Sequence, residues 1–434
     1  MVLVQLLVVL GAIFLGARLS GIGIGYAGGI GVLILTLVLG MAPGSIPVSV
    51  ILIIMSVIAA IAAMQVAGGM QYLVNIAERV LRSNPKQVTF LAPIVTYIMT
   101  LLAGTGHTAF STLPVIAEVA KEQGIRPSRP LSIAVVASQI AITASPISAA
   151  VVAFSGMLEG KGVGYLTLLA ICIPATFMAC MAGAFVAQFL GKELADDEVY
   201  QERLAKGLVS LRDKTKVAEL PATAGRSVLI FVIAIAAVVG YATAISDNVG
   251  LIANPTLGRD EAIMVFMLTA AGAIALTCKI DTSDVLSAAT FKSGMSACIC
   301  VLGVAWLGDT FVSGHIESIK EISGSVLQDY PWMLAVLLFF ASMLLYSQAA
   351  TTVALMPAAL AMGVSPVAAI AAFAAVSALF VLPTYPTLLA AVEMDDTGST
   401  RIGKLVFNHP FFIPGVVTIS TSVALGFLIG GVVL

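Results

Sequence analysis

The residues that could bind a ligand fall in four short polar breaks within long apolar runs. Each break carries hydroxyl side chains, and two of the breaks contain Pro where it must interrupt a helix. The candidate substrate-binding residues are Thr105, Gly106, His107, Thr108, Ser111, Thr112, Gln139, Thr143, Ser145, Pro146, Ser148, Ser347, Gln348, Thr351, Thr352, Thr384, Tyr385, Pro386 and Thr387. A broken helix exposes backbone N–H groups and hydroxyls add donors, so these segments offer hydrogen bonds without a fixed charge.

Such a donor set favours the binding of a small anion. Helix N-termini carry partial positive charge and can hold carboxylates. No Lys or Arg lies in these segments, which suits a small dianion that must also be released. Proteins that move cations usually place Asp or Glu inside the membrane, and none occurs at 131–153 or within 366–392. We therefore expect an anionic substrate, with no metal and no cofactor.

The three histidines differ in what they can do. His107 stands at a polar tip, where it can carry a proton, hydrogen-bond a carboxylate, or be a neutral side chain satisfied by backbone. His315 and His409 lie at predicted membrane edges, where we expect solvated side chains. Past the last break, Asp395, Asp396 and Arg401 can form a gate or a solvated loop, and the solvated loop is the expectation.

Composition places these breaks in a membrane protein. Of 434 residues, 59% are apolar and only 10% are charged, against roughly 25% charged in an ordinary soluble domain. Mean hydropathy is +1.07. Such a chain cannot present a wettable surface, which excludes a soluble enzyme, and a net charge of −2 excludes a nucleic-acid binder. The bilayer is its expected surrounding.

Runs of about 20 apolar residues predict ten membrane spans. They lie near 1–18, 21–40, 47–68, 131–153, 164–190, 226–246, 262–278, 293–311, 366–392 and 410–433. Two shorter apolar segments, 88–103 and 331–346, are each followed by a polar patch and a second short helix. These predict re-entrant hairpins at 87–121 and 331–362, and 131–153 and 366–392 are predicted to be broken helices.

Basic residues indicate the orientation. The polar segment 191–226 holds seven of the 21 Lys and Arg residues, so the positive-inside rule makes it cytoplasmic. With five spans on either side of it, 18 of the 21 basic residues fall inside, and both termini fall outside, in the periplasm. The exceptions are Lys161, Arg259 and Lys320.

The chain also repeats itself. Each half has three spans, an amphipathic stretch (70–83 and 315–329), a hairpin, a broken helix and a final span. The predicted units are a first repeat at 1–190, a linker at 191–225 and a second repeat at 226–434. An odd number of spans in each half inverts the second repeat, and inverted repeats with discontinuous helices are typical of secondary transporters.

Longer strings resemble the Dcu family of bacterial C4-dicarboxylate transporters, and its DcuA branch more than DcuB. They are Ala92-Pro-Ile-Val-Thr-Tyr, Ala103-Gly-Thr-Gly-His, Leu113-Pro-Val-Ile-Ala-Glu-Val-Ala-Lys-Glu-Gln-Gly, Gln139-Ile-Ala-Ile-Thr-Ala-Ser-Pro-Ile-Ser-Ala-Ala, Gly294-Met-Ser-Ala-Cys-Ile-Cys, Gly303-Val-Ala-Trp-Leu-Gly-Asp-Thr-Phe, Tyr346-Ser-Gln-Ala-Ala-Thr, Leu382-Pro-Thr-Tyr-Pro-Thr and Phe407-Asn-His-Pro-Phe-Phe-Ile-Pro-Gly. The resemblance covers nearly the whole chain.

This resemblance implies exchange of aspartate, fumarate, malate and succinate across the inner membrane of an anaerobically growing Gram-negative bacterium. It also implies a homodimer with an elevator mechanism, because relatives in the wider ion-transporter superfamily work that way. Two alternatives stay open: a sodium- or proton-coupled carboxylate symporter of the same superfamily and, more distantly, a membrane-embedded enzyme. The glycines of the 21–40 helix, spaced Gly21-x-x-x-Gly25 and Gly25-x-x-x-Gly29, predict close packing of that helix and of its counterpart at 262–278.

Overall fold

The chain is all-helical in a computed structural model that describes residues 2–19, 22–46, 48–209, 220–245, 251–345, 347–382, 385–404 and 407–434. No strand occurs in these ranges. The first half contains α1 (Val2–Leu19), α2 (Gly23–Leu33), α3 (Val48–Val66), α4 (Gly69–Ser83), α5 (Val88–Ala103), α6 (Ala109–Glu122), α7 (Ser128–Ile140), α8 (Ala149–Glu159), α9 (Tyr165–Gln188) and α10 (Glu198–Ala205). The second half contains α11 (Ala224–Ala244), α12 (Arg259–Cys278), α13 (Thr282–Ser287), α14 (Ala289–Asp329), α15 (Met333–Leu345), α16 (Gln348–Ala361), α17 (Pro366–Phe373), α18 (Pro386–Met394) and α19 (Phe412–Val433).

Seven helices in the described part of the chain are long and apolar enough to cross a membrane, or eight if one bent pair counts as a single span. The bent pair is α3 with α4, which meet at 73°. Shorter apolar helices include Val2–Gly16, Gly25–Val38, Met333–Met343, Gln348–Ala361 and Pro366–Phe380. The protein is thus a multi-span helical protein, and the count of ten spans with two re-entrant hairpins stays a prediction.

The two predicted amphipathic stretches have different structures. The stretch 70–83 falls on α4, a separate helix that turns away from α3 at Gly68. The stretch 315–329 instead continues α14, which runs for 41 residues without interruption. At 1.5 Å per residue this helix is about 60 Å long, roughly twice the hydrocarbon thickness of a bilayer. Part of α14 must therefore extend beyond the membrane.

Small residues bring α2 and α14 together. A Cβ on Gly28 would lie 2.4 Å from the carbonyl carbon of Gly303, and one on Gly303 would lie 2.0 Å from the carbonyl oxygen of Gly25. The prediction of close packing holds for this helix, but the register differs, since Gly29 has nothing within 4 Å. The counterpart helix α12 does not share the feature, because a Cβ on its Gly272 would also meet nothing within 4 Å.

The helices sort into two groups by their packing. In the first group α2 and α3 pack on α14, α12 packs on α3 and α11, and α4 packs on α11. In the second group α5 packs on α7, α9 on α19, α15 on the 3₁₀ segment Ala374–Phe380, and α17 on α19. The groups meet where α14 packs on α16 and where α4 packs on α5 and α6.

The first broken helix lies at the centre of the second group. In an apolar stretch of 18 residues within Ser128–Glu159, 89% of the residues are buried inside the protein, whereas in a stretch of the same length within Phe412–Val433 only 28% are buried. Protein rather than lipid therefore surrounds the interruption between α7 and α8, which is the setting that a non-helical backbone inside a membrane requires.

Charged side chains join three segments at one end of the second group. Asp197 is buried and bonds Arg126 at 2.5 Å and Arg401 at 3.2 Å. Lys121 bonds Asp396 at 2.8 Å. The pairs of Asp197 link the turn before α7, the start of the linker helix α10 and the loop after α18, and Lys121 joins α6 to that loop.

The loop after α18 is buried where it begins and exposed at 401–404, so the expectation of a solvated loop was wrong for Asp395. Asp395 is buried, and it accepts hydrogen bonds from the backbone of Thr397 and Thr400 and from the Ser399 hydroxyl. His409 is likewise buried rather than solvated, with its Nε2 3.1 Å from the carbonyl oxygen of Val381. His315 is partly buried and its ring packs on Phe311.

The buried ion pairs of Asp197 should be important for stability. Asp197→Ala leaves Arg126 buried without its carboxylate, and such a loss typically costs about 3–5 kcal/mol in the free energy of unfolding. Thermal unfolding in lipid nanodiscs measures the change. The matched control is Glu202→Ala on the linker helix α10, because its pair with Lys206 is exposed and should contribute little to the free energy of unfolding.

The same carboxylate should make stability depend on acid. Burial alone would raise the pKa of Asp197, but hydrogen bonds from Arg401 and Arg126 outweigh it and lower the pKa from 3.8 to about 2. A lowered pKa stabilises the fold above the unfolded value, and this stabilisation is lost as pH falls from about 4 towards 2. Asp197→Asn should flatten that loss, and an unchanged acid limb would contradict the assignment.

Candidate functional site

Four helices begin at the four predicted polar breaks. Helix α6 begins at Ala109 after the first hairpin turn, and α8 begins at Ala149 after the first interruption. Helix α16 begins at Gln348 and α18 at Pro386. The interruptions are therefore real features of the backbone. Each one presents a helix N-terminus, where backbone N–H groups and the helix dipole favour negative charge.

The first hairpin turn is held by glycine and threonine. Gly104 ends α5 with a φ of +64°, and a Cβ there would lie 3.1 Å from the side chain of Ile147 in the first interruption. Thr108 exchanges a 3.0 Å hydrogen bond with Thr100 and donates to the carbonyl oxygen of Thr105. The side chain of His107 lies outside the described residues, so its predicted roles stay open.

The other candidate residues of the first hairpin lie in the first turn of α6 or just before that helix. Thr112 is buried and donates to the carbonyl oxygen of Ala109, while Ser111 is half-buried one turn into the helix. Gly106 lies against α7, since a Cβ there would be 2.9 Å from the carbonyl oxygen of Ser138. The hairpin turn is thus packed directly on the end of the first broken helix.

Hydroxyls satisfy the backbone at the first interruption. Thr143 donates to the carbonyl oxygen of Ile140 at 2.7 Å. Ser145 donates to the carbonyl oxygen of Leu101 in α5 at 2.7 Å, which ties the interruption to the hairpin. Ser148 caps α8 by accepting from Val151 N–H. The carbonyl oxygen of Pro146 accepts a hydrogen bond from the Tyr165 hydroxyl.

The second hairpin turn uses the same chemistry. Ser347 caps α16 by accepting from Ala350 N–H, and its carbonyl oxygen accepts from Thr351 at 2.7 Å. Thr352 donates to the carbonyl oxygen of Gln348 at 2.7 Å. In this conformation the hydroxyl protons of Thr351 and Thr352 are bonded to backbone, so both would have to turn before donating to a ligand.

The second interruption is described in part. Thr384 lies outside the described residues. Tyr385 and Thr387 are buried, whereas Pro386 is exposed as the first residue of α18. Ser342 of α15 donates to the carbonyl oxygen of Ala375 and accepts from Ala378 N–H.

Gln139 is where the two halves of the chain meet. It is 1% exposed, at the penultimate position of α7. Its backbone carbonyl oxygen accepts hydrogen bonds from Gln348 Nε2 and from the Ser377 hydroxyl, each at 3.2 Å. Its own Nε2 lies 3.4 Å from the Thr387 hydroxyl. The first broken helix, the second hairpin and the second broken helix therefore converge on one residue.

Sequence reasoning missed Ser342, Ser377 and His409 as parts of this arrangement. Ser342 and Ser377 stand inside apolar runs, where a serine usually bonds its own helix. His409 contacts the second interruption through its Nε2, which lies 3.1 Å from the carbonyl oxygen of Val381. Only its place beside Pro410, shortly after the second break, could have drawn attention to it.

The surroundings of Gln139 are polar without being charged. The hydrogen bonds described for this region come from hydroxyls, amides and backbone, whereas the ion pairs lie at the ends of the helices. Within the described residues, no three His, Cys, Asp or Glu side chains come together as a metal ion would need. The arrangement can bind and release a small polar solute, using helix ends and neutral side chains.

Comparison with known proteins identifies the family. A family model described as an anaerobic C4-dicarboxylate membrane transporter matches residues 1–434. The chain belongs to this family. The C4-dicarboxylate transporter DcuA of Wolinella succinogenes is 70% identical over 434 residues and that of Escherichia coli is 58% identical over 435, both covering all of each chain. The anaerobic C4-dicarboxylate transporter DcuB of Escherichia coli is 38% identical, over 98% of this chain and 97% of the relative.

These matches confirm the resemblance to the Dcu family and to its DcuA branch. Membership of a transporter family also means that the protein is a multi-pass membrane transporter and not an enzyme.

Solved structures support the fold at a greater distance. The YdaH transporter of Alcanivorax borkumensis aligns with a TM-score of 0.56 at 14% identity, covering 94% of this chain and 86% of that one. MtrF of Neisseria gonorrhoeae aligns with a TM-score of 0.52 at 15% identity, covering 91% and 83%. The helical architecture is therefore shared with these two transporters.

Proposed function

We propose that this protein exchanges C4-dicarboxylates across the bacterial inner membrane by antiport with alternating access. Aspartate, fumarate, malate and succinate are the proposed substrates. The relatives named above are C4-dicarboxylate transporters, which supports this substrate class. The observation that carries the proposal is the convergence on Gln139 of polar helix ends from both halves of the chain.

A dicarboxylate suits this centre because it carries two separate negative groups. Each carboxylate needs its own group of donors, and helix ends of the first half (α6, α8) and of the second half (α16, α18) supply two groups. Neutral donors bind a dianion less tightly than Lys or Arg would, because no Coulombic attraction between full charges is added. A transporter must release what it binds, so this weaker binding favours turnover.

We infer that the chain consists of two inverted repeats, 1–190 and 226–434, joined by the linker 191–225. Corresponding helices of the two halves make corresponding contacts, which supports the inference. Helix α2 packs on α14 as α12 packs on α3, and α5 packs on α7 as α15 packs on the broken helix of the second half. The last long helices of the two halves, α9 and α19, pack on each other.

Alternating access then requires one group of helices to move against the other. The helices that begin at the four polar breaks pack with the second group, since α6 and α18 pack on α7, α16 packs on α15, and α8 packs on α16. We infer that this group carries the substrate as an elevator. The first group, with its glycine contact between α2 and α14, is the proposed scaffold. The hairpins that contain α5 with α6 and α15 with α16 are the proposed re-entrant elements.

The proposed orientation puts 191–225 in the cytoplasm and both termini in the periplasm. Ion pairs between described residues join side chains assigned to the same side, which supports the assignment. Lys121 with Asp396 and Arg126 with Asp197 pair on the proposed inner face, and Arg259 pairs with Glu159 on the proposed outer face.

Counterflow in proteoliposomes tests the function. Labelled succinate should accumulate only in vesicles preloaded with unlabelled aspartate, fumarate, malate or succinate, and sodium should make no difference. Uptake into empty vesicles driven by a sodium or proton gradient would contradict antiport and favour the symporter. No uptake of any C4-dicarboxylate in either assay would contradict the function itself.

The same assay tests the site. Thr108→Ala and Ser145→Ala in the first half, and Thr352→Ala and Thr384→Ala in the second, should each weaken succinate affinity about 10- to 150-fold, the usual effect of losing a hydrogen bond to a charged group. Ser155→Ala is the matched control, because that buried hydroxyl bonds a carbonyl within α8 away from the interruption. Unchanged affinity when all four alanines are combined would place the substrate elsewhere.

Cysteine labelling tests the orientation. The five native cysteines are buried, so single exposed cysteines can be read against a low background. Asn254→Cys, in an exposed segment on the proposed outer face, should react with an impermeant maleimide in intact cells. Gln201→Cys, exposed in the linker helix, should react only after the inner membrane is permeabilised. The reverse pattern would overturn the orientation.

A homodimer is the proposed assembly, with one complete site in each protomer. The reason is mechanical, since a moving group needs a scaffold that stays fixed, and a second scaffold anchors the first. Native mass spectrometry from lipid nanodiscs should give twice the mass of the 44.6 kDa chain. A monomer that still transports in lipid would contradict the dimer.

A further inference from the structure

The carboxamide oxygen of Gln139 has no hydrogen-bond partner. Among the candidate site residues whose side chains are described, it is the one polar side-chain atom that is fully buried and unpartnered. A buried acceptor left without a donor destabilises the folded protein, and native structures keep few of them. The side chain is 1% exposed, so solvent does not relieve it. A bound ligand with its own N–H or O–H group would supply the missing donor.

The neighbours of Gln139 are already engaged in other bonds. Gln348 Nε2 and the Ser377 hydroxyl both donate to the Gln139 backbone carbonyl and not to its side chain. The Thr387 hydroxyl faces the amide nitrogen of Gln139. The amide oxygen is thus the acceptor that remains where the two halves of the chain meet.

The proposed substrates differ in whether they can supply that donor. Their carboxylates are acceptors only, so succinate and fumarate offer nothing to an amide oxygen. Aspartate carries an ammonium group on C2 with three N–H donors. Gln139 joins the two halves of the chain, so a C4 diacid with one carboxylate held by each half would bring its middle, and a C2 substituent, towards this acceptor.

We propose that Gln139 is a specificity-determining residue, whose amide oxygen accepts a hydrogen bond from the C2 ammonium group of an amino-substituted C4 diacid. Gln139 then favours aspartate over the unsubstituted diacids, and the C2 hydroxyl of malate can use the same acceptor less strongly. The inference rests on the proposed function, because it assumes that C4 diacids bind at this centre.

Competition in the counterflow assay tests the assignment. Gln139→Met keeps the length and burial of the side chain but removes the acceptor, so aspartate should bind about 10-fold or more weakly while succinate stays within about 3-fold. Gln139→Glu keeps an acceptor and adds negative charge. It should retain aspartate, whose ammonium can pair with the new carboxylate, and should lose succinate.

Thr387→Val is the matched control, because it removes the partner of the amide nitrogen and leaves the amide oxygen in place. It should change the two affinities together and preserve their ratio. Thermal unfolding of each variant separates misfolding from altered selectivity. The inference would be overturned if Gln139→Met left the ratio of aspartate affinity to succinate affinity unchanged, or if Thr387→Val changed that ratio as much as Gln139→Met does. In either case, exchange by the wild-type protein would leave the proposed function standing. Failure of wild-type protein to exchange either diacid would instead be a failure of the proposed function.

Discussion

A helix that stops inside a membrane protein leaves backbone groups that lipid cannot satisfy, and the structure is organised around that constraint. The chain interrupts two helices and turns two hairpins in its apolar interior. Some of the freed carbonyl groups accept a hydrogen bond from a hydroxyl of another segment, as when Ser145 donates to Leu101 and Ser377 donates to Gln139. Because those partners come from other segments, the helix ends cannot be satisfied separately. They must be brought together, and the meeting point is a polar centre.

The charges of the protein follow from the same constraint. Full charges beside the buried interruptions would bind a dianion too strongly and would be expensive to bury without a partner. They are found instead away from the interruptions, at the turns and loops that join the helices, where Arg126, Asp197 and Arg401 form one network and Arg259 pairs with Glu159. These ion pairs connect segments distant in sequence, so they hold the helices in place while the centre stays neutral.

Much of this organisation could be predicted from the sequence because it depends on local signals. Pro146 and Pro386 predicted the positions of both interruptions. The lengths of the apolar runs predicted the bounds of most helices to within a few residues. The linking contacts could not be predicted, since they join positions such as Gln139 and Gln348 that are 209 residues apart. Asp395 and His409 were expected in solvent for the same reason, because their partners become visible only when distant loops pack. Gly29 shows that spacing predicts close helix packing better than it predicts register.

The central claim is that one C4 diacid binds where the helix ends of both halves meet at Gln139. A cryo-electron microscopy structure of the protein in lipid with bound succinate tests it most directly. The account predicts one diacid in each protomer, with one carboxylate at the helix ends of the first half, the other at those of the second half, and Gln139 beside its middle. Density for succinate outside this centre, or a carboxylate held by a Lys or Arg side chain, would contradict it.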